Sequence, residues 1–338
     1  MKSFGIRFGW AAGAALAVLL QQPQLSANAA TRVPPGVQTV ARGIHLVPGA
    51  AAAGAQPDGN SIIIDAPEGL IVVDTGRHAA HTRQVLDFAV SVRRPIKAII
   101  NSHWHLDHTG GNLLVRALYP QAQVYASSAI DGALTGFLAS YRQQLETALS
   151  REDTSPAAAD GFRAELKLID AGSELRPTRV ISESGSRDIA GRTLEIHLEH
   201  STVTAGDVWI LDHKTRVLIS GDLVTLPAPF LDTACPYRWA QALSHLSEQK
   251  FDWLIPGHGP ALRAADLETY RRAFVALLAC SNDTQIPVGQ CVDGWLTDSG
   301  RLIPDADREY ARSLVRYYVS SILRGDPGKL AKRCEVLS

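Results

Sequence analysis

The chain has 338 residues, with 33 Lys+Arg against 34 Asp+Glu, 46% hydrophobic and 7% aromatic residues, 27 Gly and 18 Pro. That is the balance of an ordinary globular protein, and it excludes a disordered chain, a collagen-like repeat and a polybasic nucleic-acid binder. The length suits two domains of usual size or one large α/β unit.

The first thirty residues stand apart from the rest. Lys2 and Arg7 precede an apolar run from Trp10 to Leu20, the breakers Gln21, Gln22 and Pro23 follow, and Ala27-Asn28-Ala29 offers a small-x-small cleavage site. This order predicts a signal peptide over residues 1–29. The alternative, an uncleaved anchor, suffers from an apolar run shorter than the ~20 residues that cross a bilayer. Beyond residue 29 the balance is 31 Lys+Arg against 34 Asp+Glu, which attracts neither phosphate polymers nor anionic lipid. The expectation is a mature chain in a periplasmic or secreted compartment, with no nucleic-acid partner and no membrane attachment after cleavage.

Short strands come next: Val37 to Ala41, Ile44 to Val47, Ser61 to Asp65 and Leu70 to Asp74, separated by Gly, Pro and Asp. They read as a meander opening a sheet. Val85, Phe88, Ala89 and Val92 share one face of a helix from about Arg77 to Val92, and Lys97 to Asn101 is a β-branched apolar strand. A polar, histidine-rich loop leads to a short helix, Asn112 to Leu118, and to a strand at Val124 to Ala126. Over residues 128–168, Leu134, Phe137, Leu138, Tyr141, Leu145 and Leu149 recur at helical spacing, and a second helix follows Pro156, so this stretch reads as a helical insertion. Strands return at Arg179 to Ser182, Thr193 to Glu199, Asp207 to Leu211 and Val217 to Ser220. A helix near Trp239 to Gln249, a strand at Trp253 to Ile255, and helices at about Ala264 to Leu278 and Asp305 to Leu323 complete the chain. Two similar halves, each strands then helices, fused into one α/β sandwich explain a length that suits two domains.

The four cysteines, at 235, 280, 291 and 334, show no C-x-x-C spacing, which excludes zinc ribbons and thioredoxin-type motifs. Cys280 and Cys291 either close a short bridge across a turn-rich stretch or remain buried thiols.

Asn101 to Asn112 reads N-S-H-W-H-L-D-H-T-G-G-N directly after a buried-type strand. Imidazole and carboxylate suit zinc-like divalent ions, and alternate residues of an extended segment point the same way, so His103 and His105 can grip one ion while Asp107 and His108 face a second position. Trp104, between two such residues, either lines a pocket or packs beneath the loop. His45, His78, His81, His197, His213 and His245 have no motif context.

The H-x-H-x-D-H segment, followed by x-G-G-N and preceded by a strand ending in Asp74-Thr75-Gly76, resembles the metallo-β-lactamase superfamily. Two later stretches fall in matching order. Leu218-Ile219-Ser220-Gly221-Asp222 looks like the strand that delivers a metal-bridging aspartate, and Ile255-Pro256-Gly257-His258-Gly259 looks like the last metal-binding histidine. The resemblance covers residues 37 to about 262. It implies a four-layer αββα sandwich over residues 30–262, a C-terminal helical extension over 263–338 packed on the same domain, and one or two Zn2+ ions held by His103, His105, Asp107, His108, Asp222 and His258. Asp74 reads as a structural carboxylate orienting the histidine loop.

The sequence departs from the family at one ligand. Where a histidine followed by Thr-x-Gly-Asp is usual, this chain has Ser201-Thr202-Val203-Thr204-Ala205-Gly206-Asp207, which puts Val203 at the third-histidine position and weakens or empties the first site unless His200 moves in. Pro227 to Asp232, close after Asp222, reads as a pocket wall or a rigid loop. The implied function is hydrolysis of a small-molecule ester, lactone, thioester or β-lactam-like amide by metal-activated hydroxide, with Asp107 and Asp222 as catalytic carboxylates. The absence of G-x-S-x-G argues against a serine hydrolase. The competing reading is a non-catalytic or weakly catalytic metal-binding accessory protein of a periplasmic quinoprotein or sulfur-oxidation system.

Overall fold

The computed structural model describes residues 34–50 and 56–335, and the expected signal peptide lies outside them. The first sheet takes β1 (Gln38–Ala41), β2 (Ile44–Val47), β3 (Ser61–Ala66), β4 (Gly69–Val73), β5 (Ile96–Ile100), β6 (Gln123–Ala126) and β7 (Arg179–Val180), in that spatial order. Pairing is antiparallel from β1 to β4 and parallel from β4 to β7. The second sheet has the order β12 (Trp253–His258), β11 (Val217–Thr225), β10 (Gly206–Asp212), β9 (Arg192–His200), β8 (Gly185–Ile189), with only the β11–β12 pair parallel.

The period of two along the strands sorts side chains between two apolar layers. Ile62, Ile64, Ile71 and Val73 meet Val208, Ile210, Val217 and Ile219 between the sheets. The intervening Ile63, Leu70 and Val72 turn outward onto Val85, Phe88 and Ala89 of α1 (Ala79–Ser91) and Val115 of α3 (Asn112–Leu118), which follows the single turn α2 (Leu106–Thr109). On the other sheet Trp209 and Leu211 face Trp239, Leu243 and Leu246 of α7 (Pro236–Ser247) and Phe274 of α8 (Ala264–Asn282). The order helix, sheet, sheet, helix is the four-layer sandwich expected from the sequence.

The stretch after β6 folds as α4 (Ala129–Thr135), α5 (Phe137–Leu149) and α6 (Pro156–Asp170). Ser155 caps α6 by accepting the Ala158 amide, with Pro156 in the first turn. Ile130, Leu138, Leu145 and Ile169 form a separate apolar cluster with Trp104 and Leu106 of the histidine loop, so this insertion packs directly on the candidate ligand segment.

Several expectations need correction. Strand β8 (Gly185–Ile189) begins with a glycine and is mostly exposed, so it carries little apolar signal. The supposed turn-rich stretch around Cys291 contains α9 (Val288–Asp298), because Pro287 sets its first turn and Val292, Trp295 and Leu296 supply the buried face. The last long helix is divided into a 3-10 turn at Asp305–Asp307, α10 (Arg308–Tyr317) and a π-helical stretch at Tyr318–Leu323, before α11 (Pro327–Cys334). Trp295, Ala311, Val315 and Val319 join the same apolar layer as α7 and α8.

All four cysteines are bridged, Cys280 to Cys291 and Cys235 to Cys334. The second bridge closes a separation of 99 residues and ties the end of α11 to the segment before α7. Removing such a cross-link restores chain entropy to the unfolded state. The paired variant Cys235→Ser, Cys334→Ser is therefore expected to lose about 2–5 kcal/mol of unfolding free energy in urea titration. An unchanged midpoint would mean that this bridge does not form.

Candidate metal centre

The candidate ligands emerge at one end of the two sheets. Asp74 follows β4, the H-x-H-x-D-H segment follows β5, Asp222 lies in β11 and His258 ends β12. Asp74 is in the left-handed region, with φ 57°, which turns its carboxylate toward the neighbouring loop. Oδ1 accepts the Ser102 amide at 2.8 Å, and Oδ2 accepts the Ser102 hydroxyl at 2.7 Å and His108 Nδ1 at 2.8 Å. The motif residues around it have equally definite tasks. Asn112 accepts from the Thr75 hydroxyl and donates to Asn101 Oδ1, while the Thr75 amide donates to the His108 carbonyl. The Asn60 side chain donates to the carbonyls of Pro256 and Gly259, fixing the turn that carries His258.

Two glycines are required by close approach. A Cβ at Gly257 would run into the Asp222 carboxylate, and Gly221, at φ 51°, lies against the Ser102 side chain.

These hydrogen bonds assign the imidazole tautomers. Because the Ser102 hydroxyl donates to Asp74, it accepts from His103 Nδ1, 3.0 Å away, leaving the lone pair on His103 Nε2. His108 gives its Nδ1 proton to Asp74 and likewise presents a bare Nε2. The two nitrogens, with His258 Nε2 and both oxygens of Asp222, are buried without a hydrogen-bond partner. His108 Nε2 lies 3.2 Å from Asp222 Oδ1 and 3.6 Å from Asp107 Oδ2. His258 Nε2 is 3.0 Å from Asp107 Oδ2 and 3.6 Å from Asp222 Oδ1, and His103 Nε2 is 3.8 Å from Asp222 Oδ2.

Five orphaned polar atoms in one buried spot are costly unless something binds them. Nitrogen and carboxylate donors converging in this way suit a divalent cation. Two overlapping groups are close enough to hold an ion: His103, His108 and Asp222, and Asp107, His108 and His258.

Burial opposes charge on Asp107 and Asp222, but the facing imidazoles, joined at Asp107 by Arg77, hold both carboxyls below the usual carboxylate range. Burial also opposes protonation of His108, yet the carboxylates of Asp222, Asp107 and Asp74 push it well above an ordinary histidine, so without a cation Nε2 takes up a proton that a bound cation would displace. His103 is held well below by burial and by its neighbours His108 and His105.

His105 stands beside this cluster and belongs to neither group. Its ring is 4.5 Å from that of His103, and its Nε2 lies 2.9 Å from the Thr233 hydroxyl. That hydroxyl donates to the Val203 carbonyl at 2.9 Å, so it must accept from His105, whose lone pair is then on Nδ1. The Val203 side chain is fully buried in the apolar layer with Trp209 and Leu223. Its loop is tightened by Asp207, which accepts from the hydroxyls of Thr202 and Thr204 and from the Thr204 amide. His200 is exposed at the end of β9, opposite Gly206, and the structure does not bring it into either group.

Sequence reasoning missed Thr233, Arg77 and Glu165, because each contacts the site from a segment without a motif. Arg77 Nη2 is 3.6 Å from Asp107 Oδ1, and its Nη1 is paired with Glu165 of α6. Over the cluster opens a cleft of about 360 Å3 walled by Trp104, Phe137, Tyr141, Phe230, Tyr310 and Tyr318. Trp104 both lines it, 5.5 Å from Phe137, and packs on the insertion.

The chain belongs to the metallo-β-lactamase superfamily, whose family description matches residues 56–289. It is 30% identical over 219 residues to a linear primary-alkylsulfatase from Pseudomonas sp., an alignment covering 58% of this chain and 40% of that protein. It is 46% identical over 52 residues to a hydroxyacylglutathione hydrolase from Synechococcus sp., covering 15% of this chain and 21% of that one. The chain thus spans less than half of either relative's length. Among solved structures, the stereoselective inverting sec-alkylsulfatase from Pseudomonas sp. shares the fold, with a TM-score of 0.56, 20% identity, and coverage of 87% of this chain and 52% of that chain.

Asp74 fixes two ligand tautomers at once. Asp74→Asn is expected to weaken divalent-metal affinity about 10–100-fold, measured by chelator competition with the melting temperature of the metal-free protein as control. An unchanged affinity would remove Asp74 from its orienting role.

Proposed function

We propose that the protein is an exported hydrolase of small carbonyl substrates, an ester, lactone, thioester or β-lactam-like amide, working with Zn2+ held among His103, His108, Asp107, Asp222 and His258. The observation that carries this reading is the set of unpartnered imidazole nitrogens and Asp222 oxygens, buried beside an aromatic cleft that Asp107 and His105 line. A divalent ion there supplies Lewis acidity toward a substrate carbonyl and makes water nucleophilic at neutral pH.

The protein's own groups supply the rest. Asp107 and Asp222, both ionised, would orient the attacking water and take its proton at a carboxylate oxygen that the cation does not engage, later returning it to the leaving group. Phe137, Phe230 and Trp104 bury an apolar substituent and exclude bulk water from the reacting carbonyl. No cysteine nucleophile is available, since all four are in disulfides. The Ser61 hydroxyl, 2.8 Å from His81 Nε2, is fully buried, with no place for a substrate.

A second reading, hydrolysis of an alkyl sulfate, is favoured by the identity to the primary-alkylsulfatase. Against it, Arg77 is the only Lys or Arg among the described residues lining the cleft, and it is already engaged by Asp107 and Glu165. Among the described residues, an anionic sulfate head finds no unengaged Lys or Arg in that cleft. Export is supported by the two disulfides, which persist in oxidising compartments, and by the first thirty residues of the sequence. No helix among the described residues is long and apolar enough to cross a membrane.

Zinc-loaded protein tested on chromogenic esters, lactones, thioesters, a cephalosporin and alkyl sulfates should turn over members of the first four classes. Turnover of alkyl sulfates alone would replace the reading with the second one, and none at all would favour a non-catalytic metal-binding role. With the preferred substrate, Asp107→Asn and His258→Ala should lower kcat roughly hundredfold or more. Phe137→Ala and Phe230→Ala should act mainly on KM.

A further inference from the structure

Arg77 is immobilised from every side. Its amide donates to Asp58 Oδ1 at 2.7 Å, its Nε to the Pro57 carbonyl at 3.2 Å, one terminal nitrogen to Glu165, and the other lies 3.6 Å from Asp107 Oδ1. The side chains of Arg77, Asp107 and Glu165 are each under 10% exposed. Arg77 and Tyr141 line both the aromatic cleft and a neighbouring cavity of about 910 Å3 between α6, α1 and α3, so the row of three charges is part of the wall dividing two cavities. A buried ion row of this kind is weak evidence for stability, because desolvating the charges offsets their attraction. Its geometry is more informative.

Asp107 Oδ1 is turned toward the guanidinium, whereas Oδ2 is turned toward His108 and His258. A lone arginine at that distance would orient the carboxylate but cancel its charge toward a cation. Glu165 removes that conflict. It comes from the insertion helix, outside every ligand motif, and places a second carboxylate on the far side of the same guanidinium.

We propose that Arg77 and Glu165 are positioning residues for Asp107: Arg77 holds one carboxylate oxygen so that the other faces the ligand cluster, and Glu165 balances the arginine so that Asp107 keeps its charge for a divalent cation. The helical insertion thereby sets the cation affinity of a site to which it contributes no ligand. This rests on the reading that Asp107 ligates the ion.

The test is a Zn2+ titration of the full chain by chelator competition, without substrate. Glu165→Gln preserves shape and leaves Arg77 unbalanced, and should weaken Zn2+ binding about tenfold or more. Adding Arg77→Met to Glu165→Gln removes the unbalanced charge and should bind Zn2+ at least about threefold more tightly than the single variant, staying weaker than the wild type by the orientation that Arg77 gives Asp107. A purely structural role predicts the reverse, with the double variant at least as weak as the single one. Melting temperatures of the metal-free proteins report any folding defect separately. Equal affinity in wild type and Glu165→Gln, or a double variant no tighter than the single, overturns the proposal alone. If the wild type itself binds no Zn2+, the metal reading falls and this proposal with it.

Discussion

The Asp74 carboxylate is the interaction on which the rest of the site depends. A strand running into a left-handed turn places one charged group where it accepts from the Ser102 amide, the Ser102 hydroxyl and His108 Nδ1. The bond to His108 sets that ring's tautomer directly, and the bond to Ser102 sets that of His103 one step removed. Both imidazoles then aim a lone pair at Asp222. Because β4 and β5 are parallel neighbours in the first sheet, the backbone ladder that builds the core also fixes the separation between Asp74 and the histidine loop. The sandwich and the ligand geometry are therefore one construction.

The two halves of the candidate centre are not equivalent. Asp107, His108 and His258 lie on the side held by Arg77, and His103 with Asp222 on the other. At the aligned third-histidine position the chain has used the side chain for packing: Val203 adds to the layer around Trp209, and only its carbonyl takes part in the site's hydrogen bonding. Thr233 then links that carbonyl to His105. A buried valine contributes apolar burial where an imidazole would have to bring a polar atom to be satisfied.

Segments outside the two sheets decide what can reach this floor. The insertion brings Phe137, Leu138 and Tyr141 to one wall, and the C-terminal helices bring Tyr310, Leu314 and Tyr318 to another. Asp232 ties the second wall to the loop after β11 by accepting from the Tyr318 hydroxyl at 2.9 Å. The bridge between Cys235 and Cys334 holds α11 against the same loop, where Arg333 donates to the Leu231 carbonyl. The cleft is thus enclosed by elements remote in sequence around ligands carried on short, rigid strand ends.

By itself the sequence determined the sandwich and marked the candidate ligands. Alternating and continuous apolar runs mark strands because their side chains face two packed layers, and H-x-H-x-D-H, Gly221-Asp222 and Gly257-His258 are legible because their chemistry and spacing are local. The β8 strand and α9 were less legible: the first is exposed and polar, and the second begins after residues that also suit a turn. Only the tertiary structure decided that Cys235 pairs with Cys334, that Val203 faces the core, that Thr233 engages His105 and that Glu165 reaches Arg77. Those contacts join residues 30 to 128 positions apart, and no local period or motif encodes which distant surfaces meet. They follow from the packing of the insertion and the C-terminal helices onto the sheets.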